Sequence, residues 1–255
     1  MPEFQRLIRQ PWTLGVLGIL TVLVLWWTIT AIGSVNKLFL PSPEAVWQAG
    51  QQQWTSGLLL KDAIASIQRV FIGFAISAGL ALPIGIVMGS NQVICRLLEP
   101  LMALIRYMPA PAFIPLLIIY FGLDELPKVM LIFIGTFFFN TLMIMDAVKF
   151  VPRELVETAL TLGGRTLPIL TRVVAPFIAP QVLDTYRINM ASAWNLVIVA
   201  ELVAANEGLG KRISLAQRFL RTDEIFMGLI VIGLIGLAID LGFRALMRRA
   251  CAWAN

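Results

Sequence analysis

Long uncharged stretches dominate the hydropathy pattern of this chain, and they exceed what strands or soluble core helices require. No charge occurs between Arg9 and Lys37, and Leu14 to Ile32 is almost wholly apolar. Those 19 residues make about 28 Å of helix, close to the roughly 30 Å hydrocarbon core of a bilayer. Further uncharged runs lie between Arg69 and Arg96, over 129–145 and over 225–239. The pattern predicts an all-α, polytopic membrane protein, one domain over residues 1–255. About six transmembrane helices are expected, near 12–33, 67–89, 100–121, 128–147, 180–205 and 225–246. The third carries Arg106 and then Pro109, Pro111 and Pro115, which predicts a kinked or interrupted helix. Arg6 and Arg9 would suit the n-region of a signal peptide. The apolar run is longer than an h-region and the small residues Ala31 and Gly33 make a poor cleavage site, so a retained first helix is expected.

Composition agrees with the pattern. The chain is 58% hydrophobic and 14% charged, with a mean hydropathy of +0.83. Its net charge of +5 would suggest nucleic acid in a soluble protein; here the usual excess of Lys and Arg in cytoplasmic loops accounts for it. With the N-terminus inside, cytoplasmic segments hold ten basic residues and outer segments seven. Both termini are therefore expected in the cytoplasm. Residues 34–66 form an outer stretch with Pro41, Pro43 and Trp47, suited to a short interfacial helix. Two distant cysteines, Cys95 and Cys251, give no disulfide framework or thiolate metal site, and histidine is absent.

The segment 148–178 is the most informative loop. Pro152 suits a helix start and Gly163 or Gly164 its left-handed end. Leu155, Ala159 and Leu162 fall on one face, Glu154, Glu157 and Thr161 on another. A second short helix is expected from Thr166, with Thr166 as cap and Pro168 in the first turn. Neither is long enough to span, and an exposed apolar stripe needs a partner surface.

These residues resemble the loop shared by importer permeases of ABC transporters: Glu-Ala-Ala, three residues, Gly, nine residues, Ile-x-Leu-Pro. Here it reads Glu157-Thr158-Ala159, Gly163, then Val173-Val174-Ala175-Pro176, departing at Thr158, Val173 and Ala175. A narrower resemblance, to the nitrate, bicarbonate, sulfonate and taurine permeases, rests on four signals in order. They are Leu40-Pro41-Ser42-Pro43; Arg106 and Pro109 followed by Ile114-Pro115-Leu116 and Tyr120-Phe121-Gly122; Trp194 followed by Ala200-Glu201; and Gly208-Leu209-Gly210. The resemblance implies a permease subunit of an ATP-driven importer in a bacterial inner membrane. It implies that Glu157, Thr158, Ala159, Gly163, Gly164 and Pro176 form a cytoplasmic coupling helix and turn against a separate ATPase subunit, which would bind ATP and Mg. A second permease copy, a periplasmic or lipid-anchored substrate-binding protein and membrane lipids are the other implied partners, and nucleic acid is not.

Absences and buried charges complete the reading. The phosphate-cradling Gly-x-x-x-x-Gly-Lys-Ser/Thr does not occur, no Ser–His pair is possible and no paired-carboxylate metal motif lies in the spans. The chain is thus expected to be no enzyme by itself and to hold no cofactor. Arg106, Asp184, Arg187 and Glu201 fall in or near spans, where charge is costly. Arg106, Pro109, Arg187, Trp194 and Glu201 are the translocation-path candidates, with two arginines suited to a small anion. Internal pairing, such as Arg187 with Asp184 or Glu201, would explain the same residues structurally. A carrier driven by an ion gradient, or a permease for a non-anionic nutrient such as a pyrimidine precursor, is the alternative function.

Overall fold

A computed structural model describes residues 11–254, and every regular element among them is helical. Arg6 and Arg9, which entered the orientation argument, lie outside the described residues. In chain order the helices are α1 Pro11–Ile32, α2 Pro43–Thr55, α3 Leu58–Ser90, α4 Gln92–Arg106 and α5 Ile114–Phe121. They continue with α6 Glu125–Lys149, α7 Arg153–Thr161, α8 Thr166–Ile169, α9 Ala175–Ala204, α10 Leu209–Arg218 and α11 Thr222–Ala250.

Five helical stretches are long and apolar enough to cross a bilayer: Leu14–Ile32, Leu58–Ser90, Glu125–Lys149, Thr166–Val203 and Thr222–Ala250. The sixth candidate is a bent pair, a broken span or a re-entrant loop, interrupted as the prolines predict. Gln92–Arg106 and Ala110–Phe121 meet at an angle of 86°. Two boundaries differ from expectation. α3 starts at Leu58, not near 67, because Asp62 and Arg69 are satisfied inside the protein and do not end the helix. The fifth crossing starts at Thr166, not near 180, because a π-helical turn over Leu170–Val174 joins α8 to α9 and absorbs the prolines at its start.

Packing divides the chain into two units. One holds the chain up to Leu60 and Arg212–Val231. Within it, the described side chains of α1 from Leu14 on are exposed or at most half-buried, as a lipid-facing helix permits. The tryptophans at its end serve packing: Trp26 Nε1 donates to the Pro41 carbonyl at 3.0 Å and Trp27 Nε1 to Glu44 at 3.0 Å. Leu-Pro-Ser-Pro starts α2, with the Ser42 hydroxyl accepting the Ala45 amide and Pro43 in the first turn. The Glu44 backbone amide, Ser42 and Trp27 together hold the Glu44 carboxyl below its ordinary value.

The other unit holds Lys61–Lys211 and the chain from Ile232 on, and its centre is α6 packed against α3 and α9. Close approach of α3 and α6 depends on glycine. A Cβ on Gly85 would meet the Thr141 carbonyl at 2.9 Å, and one on Gly89 the Met145 carbonyl at 2.7 Å. Gly73 makes the same approach to the Val129 carbonyl, whereas Gly79 meets nothing within 4 Å. A polar seam runs through this contact at membrane depth. Thr136 donates to the Ser77 hydroxyl at 2.9 Å, Asn140 to the same oxygen at 3.1 Å and Asn189 to Asn140 Oδ1 at 2.8 Å. Such mutual satisfaction is what an apolar surrounding demands. Gly85→Val should therefore lower thermal stability by roughly 1–3 kcal/mol, because a carbonyl cannot yield as a side chain can. Gly79→Ala should be neutral, and melting of the two purified variants side by side checks the contrast.

Candidate translocation site and the buried ion-pair cluster

Arg187, Trp194 and Glu201 recur every seven residues along α9, so they lie along one side of it. The structure engages all three. Arg187 pairs with Asp184 at 2.8 Å, three residues back, and sits 3.8 Å from Asp240 of α11. Asp240 also pairs with Arg244 at 2.7 Å, and Arg187 Nε is buried without a hydrogen-bond partner among the described residues. Trp194 Nε1 donates to the Ile232 carbonyl at 3.0 Å.

Glu201 is fully buried, and its partner is not Arg187. Its carboxylate accepts from the Ser66 hydroxyl at 2.7 Å, Arg69 Nη1 at 2.7 Å and the Gly210 amide at 2.8 Å. Arg69 also pairs in bidentate fashion with Glu125 through Nε and Nη2, and donates to the Glu207 carbonyl at 2.7 Å. Lys128, itself buried, donates to Glu125 at 2.9 Å. The Gly208-Leu209-Gly210 motif closes the cluster. The Gly208 amide donates to Asp62 at 2.9 Å and the Leu209 amide to Ser66 at 3.0 Å, so the start of α10 is capped by α3 and Glu201. Gly208 has φ +127°, and a Cβ there would run into the Glu201 carboxylate. The site reading missed Asp62, Ser66, Arg69, Glu125 and Lys128. The available signal was Arg69 at the edge of an apolar span, which is a partner-seeking position.

Arg106 stands apart from this network. It ends α4 at the helix break, half-buried, with its guanidinium carbon 5.2 Å from the Tyr107 ring centre and 5.8 Å from that of Phe139. It makes no ion pair among the described residues. Pro109, three residues past the end of α4 at Arg106, has ψ 117° and precedes the short turn Ala110–Phe113.

The loop segment folds as two short helices. α7 ends in a Schellman motif: the Gly164 amide reaches the Ala159 carbonyl and the Gly163 amide the Leu160 carbonyl, both at 2.9 Å, with Gly163 at φ +82°. Two details differ from expectation. Pro152 caps α7 from outside its first turn, and Arg165, not Thr166, precedes α8. The inward face of α7 is Val156 and Ala159, while Leu155 and Leu162 are exposed. Glu157 is exposed, Thr158 turns its hydroxyl back to the Glu154 carbonyl at 2.7 Å, and Pro176 lies in the first turn of α9.

The sequence profile of the binding-protein-dependent transport system inner membrane components matches residues 81–250. The chain belongs to this family. The taurine transport system permease protein TauC of Escherichia coli (strain K12) is 32% identical to the permease, over 94% of this chain and 90% of that one. The putative aliphatic sulfonates transport permease protein SsuC of the same strain is 33% identical, over 99% and 95%. Among solved structures, the MetNI methionine ABC transporter in inward-facing conformations shares the fold, with a TM-score of 0.68 at 17% identity, over 76% of this chain and 96% of that one. The permease is thus an inner-membrane, multi-pass component of an ABC importer, and the reading as an ion-gradient carrier falls.

Proposed function

We propose that this permease lines the passage for a small organic sulfonate, such as taurine, and that Arg106 meets the anionic group on its way through. The observation that carries the proposal is the environment of Arg106. It is a guanidinium at the 86° break between two helices that together are long and apolar enough to span, held between aromatic faces and without a carboxylate partner among the described residues. A sulfonate stripped of water needs compensating charge in a low-dielectric passage. A guanidinium that already holds a carboxylate has little left to offer. Arg187 is in that position, since Asp184 and Asp240 both face it. The similarity to TauC and SsuC over nearly the whole chain supports a sulfonate over other anions.

The same reading assigns the remaining parts. Two permease copies form the passage, and α7 with Glu157, Ala159 and Gly163 docks on a separate ATPase subunit that binds ATP and Mg. A substrate-binding protein delivers the solute on the opposite face. Cation–π contacts hold Arg106 without neutralising it, so cargo binding stays transient. Arg106→Gln should then reduce taurine uptake in proteoliposomes roughly tenfold or more, the value of a hydrogen bond to a charged group. Half-saturation, set by the binding protein, should hold, and so should the yield of intact complex. Unchanged uptake at normal yield would remove Arg106 from the passage.

A further inference from the structure

A groove of about 710 Å³ lies at the base of α7, where the spans α3 and α6 end. Its floor is apolar, built from Met88, Val148, Val156, Ile169 and Val174. Its rim is polar and carries two cations, Lys149 and Arg153, against one carboxylate, Glu157. Lys149 leans on Glu99 at 3.3 Å, and the Cys95 thiol donates to the same carboxylate at 3.0 Å. Arg153 is exposed and makes no ion pair among the described residues.

We propose that this groove binds the head group and glycerol end of an anionic phospholipid from the leaflet on the α7 side. Three features select that occupant. The volume falls within the range that holds one small molecule, roughly 300–1,000 Å³. The groove lies where the spanning helices α3 and α6 end, Ser90 and Lys149 being their last residues, a position that suits a lipid head group. An apolar floor under a cationic rim matches an amphiphile, whereas a soluble anion would have no use for the floor. Lys149 and Arg153 would take the phosphate oxygens and the valine and isoleucine side chains the first methylenes. This reading does not depend on which solute crosses the protein or on what α7 docks against.

The test uses the intact purified transporter, with native mass spectrometry after equilibration in equal amounts of phosphatidylglycerol and phosphatidylcholine. The wild type should retain phosphatidylglycerol preferentially. Arg153→Gln, at an exposed and unpaired site, should fold normally and lose about fivefold of that preference, with a similar further loss in K149Q/R153Q. Arg244→Gln and Arg248→Gln, outside the groove, should keep it. Equal retention of phosphatidylglycerol by the wild type and the double variant would overturn the site. Displacement of the lipid by millimolar inorganic phosphate would overturn the lipid as its occupant.

Discussion

Arg69→Met should collapse the yield of folded permease. The arginine side chain is 6% exposed and holds Glu201, at 0%, together with Glu125. Breaking a buried pair from one side costs about 3–5 kcal/mol, because the orphaned charge keeps its desolvation penalty. That is a large part of the stability of a typical domain. Ser66 and the Gly210 amide would still hold Glu201, but neither supplies a charge. The double variant R69M/E201Q removes both charges and should recover part of the loss. Thermal stability of the two single variants and the double, after detergent extraction, gives the coupling between them. Purely additive losses, or a normal melting temperature for Arg69→Met, would show that the cluster does not hold the protein together.

That cluster also marks where sequence reasoning stopped. The spans were legible because a bilayer core demands about 20 apolar residues per helix and few other folds supply them. The break in the third predicted span was legible because proline removes a backbone donor wherever it sits. The pairing of Asp184 with Arg187 followed from helical spacing alone. The pairing of Glu201 with Arg69 did not, since 132 residues separate them and periodicity carries no information across that distance. Glycine shows the same limit. Gly85 and Gly89 face α6, but a Cβ on Gly79, in the same helix, would meet nothing within 4 Å, and residue type alone does not tell them apart. Of the apolar stripe on α7, Ala159 turns inward while Leu155 and Leu162 are exposed, a split that helical spacing alone does not reveal. The capping of α10 is likewise invisible to local pattern, because its capping groups come from α3 and Glu201.

The turn after α7 gives the second large effect, on coupling and not on folding. Gly163 has φ +82°, a region that L-residues enter at a cost of roughly 1–2 kcal/mol, and a β-branched residue is the least suited to it. A Cβ there would meet nothing within 4 Å, so a substitution strains the turn without disturbing the packed spans. The neighbouring Gly164 differs, since a Cβ on it would press on the Ala159 carbonyl at 2.6 Å and disrupt the Schellman motif itself. Gly163→Val should therefore insert, assemble as a permease and purify at near-normal yield. The end of α7 should lose its fixed exit angle, and solute-stimulated ATP hydrolysis in the reconstituted importer should fall roughly tenfold, the equivalent of about 1.4 kcal/mol. Gly163→Asn separates backbone strain from the mere presence of a side chain, because asparagine tolerates the left-handed region. It should keep most of the stimulated hydrolysis. Full coupling in the valine variant would remove this turn from the path between ATPase and passage, whereas equal losses in both variants would place the effect in side-chain contact and not in the backbone geometry of Gly163.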